Sequence, residues 1–130
     1  IVHPEASVAT LCEPIYDLSD IQNPHQVKVV KSQSGRALYF SRVSIPAYSK
    51  PNPGMHYRHI GLYAYRADFL RDFRTWEPTP LEQFERLEQL RALEHDRLIQ
   101  VDVALDLVPP GVDTEHDLDV VRKYLESPSV

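Results

Sequence analysis

Apolar and polar positions alternate along much of this chain, and elsewhere the apolar spacing lengthens to that of a helix. Alternation with a period of two, rich in β-branched and aromatic residues, predicts strands at Ser7–Cys12 (SVATLC), Gln26–Val30 (QVKVV), Ala37–Ser41 (ALYFS), Arg58–Tyr65 (RHIGLYAY) and Leu98–Leu105 (LIQVDVAL). Helical spacing predicts helices at Ala67–Arg74 (ADFLRDFR), Leu81–His95 (LEQFERLEQLRALEH) and Glu115–Leu125 (EHDLDVVRKYL). Thr114 is the N-cap candidate of the last helix, with Asp117 three residues on as the partner in a capping box. Asp17–Asn23 reads as a short helix or turn stopped by Pro24, and Pro46–Met55 (PAYSKPNPGM) reads as a loop.

Strands interspersed with helices predict an α/β layered domain whose sheet is partly parallel and partly antiparallel. ALYFS, the proline-rich loop and RHIGLYAY follow too closely for a helical crossover, so they form an antiparallel excursion on that sheet.

Alternation also sorts the side chains of RHIGLYAY. Ile60, Leu62 and Ala64 share one face, expected to meet the core, and His59, Gly61, Tyr63 and Tyr65 share the other. Gly61 leaves a notch between a histidine and a phenol, which suits a polyhydroxylated ligand. The alternative is that a helix covers this face and all three pack beneath it.

The leucine-rich helix carries Glu88 on its apolar side, four residues after Phe84. A carboxylate there is either paired, with Arg91 as the nearest cation, or bound to something else. Gln89 lies about 100° around the axis from it. Arg42 ends an oily row formed with Leu38 and Phe40, and either captures a carboxylate or reaches solvent at the strand end. Asp113, after a Pro-Pro-Gly turn and before a helix, is either a ligand for Mg2+ or a partner of the helix N-terminus.

Composition narrows the classes. The chain has 130 residues, 42% hydrophobic and 25% charged, the length of one domain or a piece of a larger one. A net charge of -5 with no basic block argues against nucleic acid as the main partner. No apolar run approaches the roughly 20 residues that span a bilayer, and IVHPEASV lacks the pattern of a signal peptide. One cysteine, Cys12, fits a reducing compartment and a packed thiol, so a soluble cytoplasmic protein is expected. The 4 glycines cannot build a dinucleotide fingerprint or a P-loop. His56 and His59 fall on opposite strand faces and make a poor zinc pair.

Five stretches in order, NPHQVKVV (23–30), ALYFSRVSIP (37–46), RHIGLYAYR (58–66), PLEQFERLEQLRALE (80–94) and GVDTEHDL (111–118), closely resemble the C-terminal half of the 3-deoxy-manno-octulosonate cytidylyltransferases, the CMP-Kdo synthetases. The likeness runs across nearly the whole chain, and the combination of YFSR, HIGLYAYR, LEQLR and GVDT is what makes it specific. It implies half of a Rossmann-like, nucleotide-diphospho-sugar-transferase-like mixed-sheet fold, in which residues 1–130 supply the sugar-binding and dimerisation side. It implies an enzyme of lipopolysaccharide biosynthesis that transfers CMP from CTP to Kdo, an acidic eight-carbon sugar, with release of pyrophosphate. By the same likeness Arg42, His59, Tyr63, Glu88 and Gln89 surround Kdo, Asp113 binds Mg2+, and the enzyme is a homodimer.

The family's N-terminal half, with its CTP-binding loop and Gly-Asp-Glu-Pro motif, has no counterpart in this sequence. The chain alone is therefore not expected to catalyse the reaction. A cytidylyltransferase for sialic acid and a non-catalytic module for sugar-acid binding or dimerisation are the alternatives.

Overall fold

The computed structural model of the chain describes residues 3–47, 54–106, 108–109, 111–112 and 114–126. The predicted Asp113 site and most of the proline-rich loop 46–55 lie outside the described residues. The elements follow in the order β1 (Val8–Ile15), α1 (Leu18–Gln22), β2 (Lys28–Lys31), β3 (Ala37–Ser41), β4 (His56–Tyr65), α2 (Ala67–Phe73), α3 (Pro80–Glu85), α4 (Gln89–Glu94), β5 (Ile99–Val103) and α5 (Glu115–Glu126).

The strands form one mixed sheet in the order β3-β2-β4-β1-β5, with β1 parallel to β5 and antiparallel to β4. β2 pairs antiparallel with both β3 and β4, so ALYFS and RHIGLYAY are not neighbours and run parallel to each other. The expected antiparallel excursion is thereby corrected, because β2 inserts between them. An isolated antiparallel bridge between Arg36 and Gln100 ties the start of β3 to β5, so the sheet curls back on itself at that corner. Gly35 makes the approach possible: it sits at φ +86, and a Cβ there would lie 2.3 Å from the Gln100 amide nitrogen.

One face of the sheet carries the core. Val8 and Cys12 of β1, Val29, Phe40, Ile99 and Val101 pack with Phe69 of α2 and with Leu90 and Ala92 of α4. On β4 this is the face of Tyr57 and Tyr63, both packed against that cluster. The expected assignment of faces is thus reversed. Ile60 is buried, but Leu62 is 60% exposed and Ala64 is exposed as well. Alternation separates two faces without saying which is inward, and here ring area decides, because aromatic side chains bury more apolar surface than Leu or Ala.

The leucine-rich stretch differs too. It is two short helices, with the break at Arg86 in the left-handed region at φ 56. Pro80 opens α3 at its first position, and Thr79 N–H donates to Glu82 Oε2 at 3.1 Å. Arg91 of α4 reaches back to Glu82, donating from Nε at 2.7 Å and from Nη2 as well, and this ion pair folds the two helices against each other. A continuous helix would hold those groups nine residues apart, about 13.5 Å along the axis at 1.5 Å per residue.

Two further ties hold the loops. Lys28 is fully buried, and its ammonium donates to the backbone carbonyls of Asn23 (2.7 Å), Arg42 (2.7 Å) and Gln26. At α5, Thr114 N–H donates to Asp117 Oδ2 at 2.9 Å and Asp117 N–H donates to Thr114 Oγ1 at 3.2 Å, the predicted capping box. Among the described residues no helix is long and apolar enough to cross a membrane.

Candidate functional site

The site is built around an irregularity in β4. Along β1 the partners run Val8–Tyr65, Ala9–Ala64 and Thr10–Tyr63, and the next pair is Leu11–Ile60. Gly61 and Leu62 are therefore two extra residues on β4. An even insertion leaves the parity of the strand intact, so His59 and Tyr63 stay on one face. A Cβ built on Gly61 meets nothing within 4 Å, so the predicted notch is open space.

Aromatic rings line the inner face from β3 to α2. Phe40 meets His59 edge-on at 5.0 Å between centroids, His59 meets Tyr63 at 5.3 Å, Tyr63 stacks on Tyr65 at 5.4 Å, and Tyr65 stacks on Phe69 at 5.9 Å. Burial in this row holds the His59 imidazole down to about 4 and pushes the Tyr63 phenol well above its ordinary range. Both are neutral groups that offer hydrogen bonds rather than charge.

Tyr63 and Tyr65 of β4 form one wall of a cavity of about 150 Å3, Glu88 and Gln89 at the start of α4 form another, and Phe69 and Ile99 also line it. Tyr63, the phenol beside the predicted notch, and the pair Glu88 and Gln89 thus line one cavity. Glu88 is exposed and has no ion-pair partner among the described residues, because Arg91, its expected partner, is committed to Glu82. Its charge contributes to raising the pKa of Tyr65, after burial. A second, more open cavity of about 510 Å3 lies beside the bulge, lined by His59, Gly61 and Leu62, by Asn23 and Gln26, and by Gly111 ahead of α5. The His59 ring packs against Tyr63 of the first cavity and itself lines the second.

Arg42 lines neither cavity. Its Nε donates to Glu85 O at 3.1 Å, Nη1 to Pro24 O at 3.3 Å and Nη2 to Arg86 O at 3.4 Å, so it grips the turn between α3 and α4. A guanidinium has five N–H groups, and these three bonds are the ones Arg42 makes with its side chain among the described residues. Glu85 answers from the other side: its carboxylate accepts from Ser41 Oγ at 2.7 Å, Tyr39 Oη at 3.2 Å and Arg42 N at 3.2 Å. That carboxylate clamps the end of β3 to the turn that delivers Glu88 and Gln89.

Glu85 went unremarked in the sequence, since one glutamate among several in LEQFERLEQLR carries no distinguishing signal. Thr10 and Lys28 went unremarked as well, each being an ordinary residue of an alternating strand. Asp113 lies outside the described residues. Among the described residues no group of three or more His, Cys, Asp or Glu side chains could hold a metal ion.

Known proteins share this arrangement of elements. A 3-deoxy-manno-octulosonate cytidylyltransferase of Hahella chejuensis is 49% identical over 136 residues, covering 98% of this chain and 53% of that protein. One of Aeromonas hydrophila is 52% identical over 127 residues, covering 92% of this chain and 50% of that protein. The solved structure of a CMP:2-keto-3-deoxy-manno-octonic acid synthetase complexed with CTP superposes with a TM-score of 0.86 at 36% identity, covering 95% of this chain and 51% of that one. The chain spans about half the length of the curated relatives it matches. The sequence model of the family described as Cytidylyltransferase matches residues 3–99, and the chain belongs to that family.

Proposed function

We propose that this chain supplies the sugar-binding side of an enzyme that activates Kdo for lipopolysaccharide biosynthesis, forming CMP-Kdo and pyrophosphate from CTP and Kdo. The observation that carries the reading is the meeting of Tyr63, Glu88 and Gln89 on one cavity in a chain of the cytidylyltransferase family. The Tyr63 ring packs on the carbon skeleton of the sugar while its phenol bonds a hydroxyl, the Glu88 carboxylate accepts from its hydroxyls, and the Gln89 carboxamide both donates and accepts. His59, kept neutral by burial, reads a further hydroxyl. Arg42 lies outside that cavity and holds the α3–α4 turn that delivers Glu88 and Gln89; in the same reading its guanidinium faces the carboxylate end of Kdo.

The reaction is an attack by the anomeric hydroxyl of Kdo on the α-phosphorus of CTP, with pyrophosphate leaving in line. These side chains accelerate it by orientation, since they fix the sugar and carry none of the nucleotide phosphates. In this reading Asp113 is the chain's ligand to Mg2+, whose role is to neutralise phosphate charge. The described residues do not complete such a site. The intact enzyme is a cytoplasmic homodimer in the same reading.

The test is pyrophosphate release from CTP by the intact protein, with Kdo and with sialic acid as sugar acceptors. Release that requires Kdo is expected. Tyr63→Phe and Glu88→Gln should each raise KM for Kdo by about tenfold, the equivalent of one lost hydrogen bond, and leave KM for CTP unchanged. Turnover with sialic acid in place of Kdo, or variants that alter only stability, would refute the assignment.

A further inference from the structure

Thr10 stands on β1 opposite Tyr63, at the step where the β1–β4 register jumps. It is 4% exposed, between the buried apolar residues Val8 and Cys12 on the core face. Its Oγ1 lies 2.8 Å from Leu62 O, 3.0 Å from Ile60 O and 3.0 Å from His59 Nε2.

A hydroxyl has one proton to give and two lone pairs to accept with. Both carbonyls can only accept, so they share the threonine proton. The imidazole must then be the donor in the third contact. His59 therefore carries its ring proton on Nε2 and keeps Nδ1 as an acceptor. The same hydroxyl donates to the carbonyls of Ile60 and Leu62, which flank Gly61 at the bulge. Without it, both carbonyls lose that hydrogen bond, the one to Ile60 at a buried position.

We propose that Thr10 is a positioning residue of the sugar site, whose hydroxyl both pins the Gly61–Leu62 bulge and sets His59 to offer an unprotonated Nδ1 to a ligand hydroxyl. The ligand half of this rests on the sugar-binding reading above, while the bulge and the tautomer do not.

Long-range 1H–15N spectra of the intact protein, labelled with 15N-histidine, read the tautomer directly at pH 7. The wild type should show His59 protonated on Nε2. Thr10→Val keeps the β-branched shape and removes the oxygen. It should give a mixed-tautomer pattern for His59 and weaken calorimetric binding of Kdo by about tenfold. Thr10→Ser restores the hydroxyl and should return both readouts to near wild type.

A wild-type His59 protonated on Nδ1 overturns the inference without any variant, so the test survives a Thr10→Val protein that does not fold. An unchanged tautomer in Thr10→Val overturns it too, as does a serine variant no better than valine. If the wild type does not bind Kdo, the sugar-binding reading and the ligand half fall together, and the spectra still decide the bulge and the tautomer.

Discussion

The two walls of the smaller cavity are held in place by different chemistry. The β4 wall depends on one neutral hydroxyl and a row of stacked rings. The wall at the start of α4 depends on charge: Arg91 with Glu82, and Glu85 with the end of β3. Removing a partner from a poorly solvated ion pair strands the other charge, which costs several times more than losing one neutral hydrogen bond. The helical wall should therefore govern stability, and the strand wall should govern how a ligand is read.

The largest effect that would expose this difference is Arg91→Ala. The Glu82 side chain is only 12% exposed and its pKa is lowered chiefly by the hydrogen bonds from Arg91, so the orphaned carboxylate should cost about 3 kcal/mol. A lower denaturant midpoint at constant slope is the expected record. Arg91→Lys should recover little, because a point ammonium cannot make the two-nitrogen contact.

A smaller effect tests the strand wall by pH. The folded His59 titrates at about 4 because burial opposes its charge, against an ordinary value of 6.5. Below pH 6.5 the unfolded chain takes up a proton that the folded chain refuses. Stability is thus complete above 6.5, falls as pH drops towards 4 and then levels off, a loss of about 2 kcal/mol once partial solvation is allowed for. Thermal unfolding across that window should show the decline, and His59→Phe should flatten it. A decline of the same size in that variant would assign it to other groups.

The smallest expected change is a gain. Arg86 holds φ 56 while its side chain is exposed, so Arg86→Gly should relieve about 0.5 kcal/mol of backbone cost and raise the midpoint slightly. A drop instead would mean that the Arg86 side chain contributes to the clamp.

Much of this architecture was legible in the sequence, and the exceptions have physical causes. All five predicted strands form, because alternation and β-branched content record a local, period-two environment. α2, α5 and its Thr114–Asp117 box were equally local and equally readable. The break at Arg86 was not, because Phe84 and Leu87 keep a plausible apolar spacing across it, and the ion pair that favours the break joins Arg91 to Glu82 only after folding back. The buried face of β4 was not readable from that strand alone, since both faces carry bulky groups and the choice is made by Phe69 of the following helix and by Leu90 and Ala92 of the distant α4. Of the candidate site residues, Tyr63, Glu88 and Gln89 meet on one cavity, and His59 adjoins them through its ring contact with Tyr63. Arg42 turned out to face backbone carbonyls, which leave no trace in side-chain patterning.

Lys28 spends its ammonium on main-chain oxygens from both the α1–β2 loop and the end of β3. That makes its amine a built-in footprint of opening at this corner. Acylating reagents should mark Lys31 while the protein is native and reach Lys28 only when those oxygens let go. The rate at which label accumulates there would then clock how often the corner that carries Arg42 comes apart.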